Sequence, residues 1–120
     1  MAINNDKLSI DLSVLASLRG FQQAGEPDFV TELIDLFLRD TTWQIELLRK
    51  AVVNNDVNEF RRLAHLVKGS SGNIGAKKLA TLCEAMENNE LPNAVTDSLL
   101  LELEKEFELV SALLNKERQW

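Results

Sequence analysis

The sequence predicts an all-α fold: an up-and-down antiparallel four-helix bundle with a short additional N-terminal helix or helices. Apolar residues recur at intervals of three and four, with almost no strict alternation of the strand type. Turn residues are sparse, and the connections between apolar segments are short, which favours antiparallel neighbours. A length of 120 residues is that of one ordinary domain, so we expect a single domain over residues 1–120.

The first half of the chain predicts three helices. Residues from about 11 to 19 carry the apolar spacing of a short leading helix. Pro27 is suited to the first position of a second helix because its φ angle is already close to helical. Asp40-Thr41-Thr42 predicts a break or bend, since Thr41 and Gln44 have the spacing of a capping box. We therefore expect a separate third helix from about 42 to 53.

The second half predicts three further helices. Asp56 is a suitable N-cap for a helix that extends to about residue 73, and Gly75 suits a left-handed helix end. The next helix is expected from about 76 to 89, and the last from about 95 to 117.

Composition excludes several classes of function. With 45% apolar and 27% charged residues the chain is typical of a soluble globular domain, and one cysteine favours a reducing, cytoplasmic compartment. The N-terminus lacks the features of a signal peptide, and no apolar run approaches the roughly 20 residues needed to span a membrane. The net charge of −6 argues against nucleic-acid binding. His65 and Cys83 are too few to close a structural zinc site, so no metal or cofactor is expected on this chain.

His65, the only histidine, lies on the outward face of the helix predicted from 56 to 73. At about 100° per residue its side chain points about 160° away from the middle of the buried seam. The expected seam comprises Phe60, Leu63, Val67, Ser70 and Ile74. The outer sector comprises Asn58, Arg61, Arg62, His65, Gly69 and Gly72, with Lys68 at its edge.

The glycines near His65 have two interpretations. A glycine inside a helix costs about 1 kcal/mol relative to alanine, so its presence calls for compensation. Gly69 follows His65 by four residues and would leave one flank of the imidazole bare, while Lys68 would place an ammonium beside any bound anion. The alternative is that Gly69, Gly72 and Gly75 merely admit a neighbouring helix or unwind the helix end.

Charge is unevenly distributed along the chain. Residues 56–78 hold five basic and two acidic side chains, a net of +3, whereas the other 97 residues carry −9. An acidic partner surface would therefore be attracted to this region, where Arg61, Arg62 and Gly72 are the candidate contact residues.

Residues 64–76 read AHLVKGSSGNIGA, which resembles the pattern A-H-x-L-K-G-S-S-x-x-x-G-A of histidine-containing phosphotransfer (HPt) domains. The motif departs only at Val67, where leucine is usual. Similarity extends to the helices on either side and covers roughly residues 10–116, although Thr42 stands where many members have proline.

The resemblance implies a carrier that takes a phosphoryl group on His65 from the aspartyl phosphate of a receiver domain and passes it to another receiver. It further implies that Lys68 neutralises the phosphoryl oxygens and Gly69 provides clearance. Glu87 is the first candidate to orient the imidazole, and Glu84 is the second. The alternative is that both are solvated helix carboxylates. Ser70 and Ser71 are expected to bond within the bundle.

The implied partners are response-regulator receiver domains and a hybrid sensor histidine kinase. Mg²⁺ is expected in the partner receiver, and the chain itself is expected to be a monomer without autonomous kinase activity. The glycine-rich stretch fits neither a P-loop nor a dinucleotide fingerprint. Cys83 lies on an apolar stripe, as an inert core thiol would. A helical adaptor that docks receivers without carrying phosphate remains the alternative function.

Overall fold

The computed structural model describes residues 9–25, 28–88 and 94–118, and these residues contain five helices and no strand. The helices are α1 (Leu12–Arg19), α2 (Phe29–Val53), α3 (Val57–Ile74), α4 (Lys77–Glu87) and α5 (Ala94–Asn115). Each of α2, α3 and α4 packs on the next helix, and α5 also packs on α2, where the rings of Phe37 and Phe107 meet edge to face with their centroids 6.3 Å apart. The predicted four-helix bundle with a short N-terminal helix is therefore confirmed.

Aspartate side chains cap the starts of α1, α2 and α3. The carboxylate of Asp28 accepts from the Thr31 backbone N–H, and that of Asp56 accepts from the Glu59 N–H. The N-cap predicted at Asp56 is confirmed, whereas Pro27, predicted to begin the second helix, lies outside the described residues. The bounds of α3, α4 and α5 differ from those expected by one or two residues at each end.

The break predicted near Asp40-Thr41-Thr42 is wrong, because α2 runs without interruption from Phe29 to Val53. The buried positions keep helical spacing across this segment and hold it against the core: Ile34, Phe37, Thr41, Ile45 and Leu48. Thr41 is buried inside the helix, and its hydroxyl makes no hydrogen bond, so it does not cap a new helix. The Thr42 hydroxyl instead donates to the Leu38 carbonyl at 2.7 Å and is satisfied within the helix.

The seam of α3 largely follows the predicted pattern. Phe60, Leu63, Val67 and Ile74 are buried, but Ser70 is only half-buried, and Ala64 and Ser71 occupy the remaining buried positions. The Ser70 hydroxyl donates to the Val67 carbonyl, whereas the buried Ser71 hydroxyl has no partner, so the expected bond of Ser71 is wrong. Cys83 is fully buried, and burial raises the pKa of its thiol to about 12, as an inert core thiol requires.

The turn between α3 and α4 contacts Asp11, the residue that precedes α1. Gly75 ends α3 with φ +90°, as predicted, and its carbonyl accepts from the Asp11 N–H at 2.8 Å. Lys77 lies 3.0 Å from the Asp11 carboxylate. This turn reverses the chain, so that α4 runs back along α3 beside His65. None of the described helices combines enough length with enough apolar character to cross a membrane.

Candidate functional site

His65 projects from the middle of α3 into solvent, with 70% of its side chain exposed. The residues predicted to share its outer sector, Asn58, Arg61, Arg62, Gly69 and Gly72, are all exposed, and Lys68 is half-buried at the edge. The predicted helical wheel therefore places this face correctly.

Glu87, near the end of α4, faces the imidazole from the neighbouring helix. Its two carboxylate oxygens lie 3.3 and 3.4 Å from Nδ1 of His65. Because a carboxylate only accepts hydrogen bonds, a neutral imidazole that bonds to Glu87 carries its proton on Nδ1. The lone pair is then on Nε2, the nitrogen at the far side of the ring.

Lys68 shares the same carboxylate. Its Nζ lies 2.8 Å from Oε1 of Glu87. The contact with Lys68, followed by that with His65, holds the pKa of Glu87 below its usual value, and Glu87 raises the pKa of Lys68. The sequence places Lys68 beside His65 but does not reveal this ion pair, because the pair depends on how α3 and α4 are aligned.

Glu84, the second candidate to orient the ring, is exposed one turn before Glu87. It acts on Lys68 through its charge. Of the two carboxylates considered from the sequence, Glu87 is the one that the fold brings to Nδ1.

The glycines beside His65 have open space around them. A Cβ added at Gly69 or at Gly72 would meet no atom of the described residues within 4 Å, so neither glycine makes room for one of the described helices. At Gly75 an added Cβ would lie 2.7 Å from the Asp11 carbonyl oxygen. The packing interpretation therefore applies to Gly75 and fails at Gly69 and Gly72, where the bare surface faces solvent.

The basic region is more neutralised than its sequence indicates. Arg62 pairs with Glu59, Lys68 with Glu87, Lys77 with Asp11, and Lys78 lies 3.9 Å from Glu106. Among the described residues, Arg61 is the basic side chain of segment 56–78 without an ion pair. The attraction for an acidic partner is consequently concentrated at Arg61.

Metal ligands are not clustered here. Within residues 9–25, 28–88 and 94–118, no group of three or more His, Cys, Asp or Glu side chains is arranged to hold a metal ion.

Comparisons with known proteins identify this arrangement. The family model for the Hpt domain matches residues 32–113. The chain is 36% identical over 69 residues to histidine-containing phosphotransfer protein 2 of Arabidopsis thaliana, a match that covers 55% of this chain and 44% of the relative. It is 30% identical over 83 residues to multistep phosphorelay regulator 1 of Schizosaccharomyces pombe, covering 69% of this chain and 28% of the relative. The chain thus spans less than half the length of these curated relatives.

A solved structure agrees along nearly the whole chain. The crystal structure of histidine-containing phosphotransfer protein B from Pseudomonas aeruginosa PAO1 superimposes with a TM-score of 0.83 at 33% identity. The match covers 92% of this chain and 95% of that protein. The helical bundle and the sequence around His65 therefore point to the same family.

Proposed function

Because this chain belongs to the Hpt domain family, we propose that it is a phosphorelay carrier that accepts a phosphoryl group on His65 from the aspartyl phosphate of one receiver domain and delivers it to the aspartate of another. The surroundings of the His65 ring carry the proposal. The ring is exposed, its Nδ1 faces Glu87, and its flank is bare at Gly69.

The transfer uses the lone pair on Nε2. In-line attack on the aspartyl phosphate forms an N–P bond while the P–O bond to the aspartate breaks, and the aspartate leaves as a carboxylate. The second receiver reverses the step: its aspartate oxygen attacks phosphorus, and the imidazole leaves. Such in-line attack needs the phosphoryl group close to the ring, and an exposed imidazole next to an absent side chain allows that approach.

Each neighbour of His65 has a distinct role in this proposal. Gly69 leaves room for the receiver beside the ring. Lys68 has three ammonium donors, so it can keep its contact with Glu87 and also stabilise the phosphoryl oxygens. Glu87 orients the ring through Nδ1. The Mg²⁺ that assists transfer would be held by the receiver.

The partners proposed are response-regulator receiver domains and a hybrid sensor histidine kinase that carries one. Arg61, Arg62 and Gly72 are exposed on the same helix as His65 and would contact the receiver. Receiver active sites that hold Mg²⁺ through carboxylates present acidic surface, which suits the positive charge of Arg61 and Lys68.

The direct test mixes the protein with receiver domains from the same genome that have been phosphorylated on aspartate. We expect an acid-labile, alkali-stable label on this chain, and its complete loss in His65→Gln, because glutamine has no nucleophilic nitrogen. The measurement is label retained on the chain after gel separation, with circular dichroism to verify that the variant is folded.

Binding separates the carrier from the helical adaptor. Receivers that bind wild type and His65→Gln equally, yet transfer no phosphoryl group to the wild type, would establish the adaptor and refute the carrier. Undiminished labelling of His65→Gln would refute His65 as the acceptor. The matched control is Glu84→Gln, an exposed change on α4 that leaves the His65 contacts intact and should be labelled like the wild type.

A further inference from the structure

We propose that the Glu87 carboxylate, paired with Lys68, holds the Nδ1 proton on His65 throughout phosphoryl transfer and so makes the phosphohistidine short-lived and quick to transfer at alkaline pH. The inference rests on the proposed function of His65 as the phosphoacceptor. It assigns Glu87 as a positioning residue whose negative charge, and not only its shape, sets the reactivity of the phosphorylated ring.

The ring proton decides how easily the phosphoryl group leaves. When Nε2 carries phosphorus and Nδ1 keeps its proton, the ring is cationic, and cleavage of the N–P bond releases a neutral imidazole. When Nδ1 has lost its proton, the same cleavage must release an imidazolate, which is a much poorer leaving group. Attack by the Nδ1–H tautomer forms the cationic ring directly, so no proton has to move in either direction.

The structure places a suitable group at that proton. Both oxygens of Glu87 lie within 3.4 Å of Nδ1, close enough for the carboxylate to accept a hydrogen bond and stabilise a cationic ring. A neutral amide at this position would accept the same bond without the attraction between charges. A carboxylate at this position therefore stabilises the cationic ring, which a group that only orients the ring does not do.

Lys68 acts on the ionisation of this carboxylate. Its ammonium, 2.8 Å from Oε1, favours the ionised form of Glu87 and makes it a weaker base. A weakly basic carboxylate accepts a hydrogen bond from Nδ1 without removing the proton. The ion pair thus keeps the charge needed to stabilise the ring and keeps the proton on the ring.

The described residues contain three further groups that act on this pair. They are His65 from α3 and Glu84 and Cys83 from α4. The Cys83 thiol is buried and its pKa is raised to about 12, so it stays neutral over the pH range of interest. Glu84 is exposed and acts through its charge on Lys68, which makes it the natural control.

The experiment needs no receiver. Phosphoramidate transfers its phosphoryl group to histidine and releases ammonia, and decay of the resulting phosphohistidine is followed by ³¹P NMR between pH 5.5 and 9. At pH 8.5 we expect the phosphohistidine of Glu87→Gln to decay about tenfold more slowly than that of the wild type, because the amide removes the negative charge that stabilises the cationic ring from within hydrogen-bonding distance of Nδ1. At pH 5.5 the two rates should agree within about twofold, because a lower pH favours the cationic ring with either side chain at position 87.

Two further variants make the result specific. Glu84→Gln should follow the wild-type profile throughout. Lys68→Gln should change the rate of phosphorylation and shift the dependence of decay on pH much less than Glu87→Gln does, because Glu87 stays ionised above its ordinary pKa range even without the ion pair.

Three outcomes would contradict the inference. Identical pH profiles for wild type and Glu87→Gln would overturn it while leaving the carrier function standing, and so would an equal shift in Glu84→Gln. A folded wild type whose His65 takes no phosphoryl group from phosphoramidate would overturn it as well. The absence of transfer from any phosphorylated receiver, with phosphoramidate labelling intact, would instead remove the relay function and leave the chemistry of the site in place.

Discussion

The middle and the end of α3 contain glycines for opposite reasons. At Gly75 the fold itself excludes a side chain: φ is +90°, and an added Cβ would lie 2.7 Å from the Asp11 carbonyl oxygen and 3.2 Å from the Val14 Cβ. At Gly69 and Gly72 the backbone is helical, and an added Cβ would touch nothing within 4 Å. One helix therefore holds a glycine that the protein needs for folding and two that its own packing does not require.

The difference separates structural from functional glycines. Each helical glycine costs about 1 kcal/mol relative to alanine, and nothing within the described residues offsets that cost at Gly69. Gly69 follows His65 by one turn, so the cost is explained if the bare surface must receive another molecule beside the imidazole. A substitution at Gly69 should consequently affect phosphotransfer, and a substitution at Gly75 should affect the free energy of unfolding.

The largest effect is expected from Gly69→Leu. The new side chain would cover the flank of His65 and displace an approaching phosphoryl group, and misplacement by about 1 Å is enough to cost roughly a hundredfold in rate. We expect phosphotransfer from a receiver to fall at least about a hundredfold. The free energy of unfolding should stay equal to or slightly above that of the wild type, because leucine is a good helix former in open space.

Ser98→Leu is the matched control, since it adds an exposed leucine to a different helix, α5. This variant should transfer at the wild-type rate. If Gly69→Leu also transferred at the wild-type rate, the bare flank would have no part in docking, and the distinction between the two kinds of glycine would fail.

Gly75→Ala should show the opposite pattern. A left-handed conformation at a non-glycine residue and a contact of 2.7 Å with a backbone oxygen are together expected to lower the free energy of unfolding by about 2 kcal/mol. Urea denaturation measures this loss. The folded fraction should still transfer phosphate at close to the wild-type rate, whereas an unchanged midpoint would show that Asp11 does not need this close approach.

Much of the fold follows from local rules that the sequence displays. Asp56 and Gly75 have the chemistry of a helix start and a left-handed end, and the apolar spacing of α3 determines which way His65 faces. The helix start predicted at Thr41 is wrong because a threonine followed by glutamine three residues later has the same spacing in a cap and in a helix interior. Burial of the helix against the core, which the local pattern does not contain, decides between them.

The candidate site, too, could be predicted only as far as local patterns on one helix allow. Its outward face and bare flank were predictable from periodicity on one helix, but the sharing of Glu87 by His65 and Lys68 depends on the alignment of two helices. A displacement of α4 by one turn would have presented Glu84 in its place. Ser70 does bond within the bundle, to the Val67 carbonyl, but Ser71 takes the buried position of the seam that was predicted for Ser70, because neighbouring positions near the edge of a seam differ by only about 100° in direction.

The smallest effect should come from the charge of Asp11, the residue that packs on Gly75. Hydrogen bonds from Ser13, together with Lys77, lower the pKa of Asp11 to about 2 from an ordinary 3.8, so its ionised form stabilises the fold. That stabilisation is complete well above pH 3.8 and is lost as the pH falls towards 2. In Asp11→Asn the amide oxygen can still cap α1, but the charge is gone. We therefore expect a slightly lower urea midpoint than that of the wild type at pH 6, a gap that closes between about pH 4 and 2, and normal phosphotransfer at neutral pH. A gap that stayed constant over this range would show that the charge of Asp11 is not what stabilises the fold.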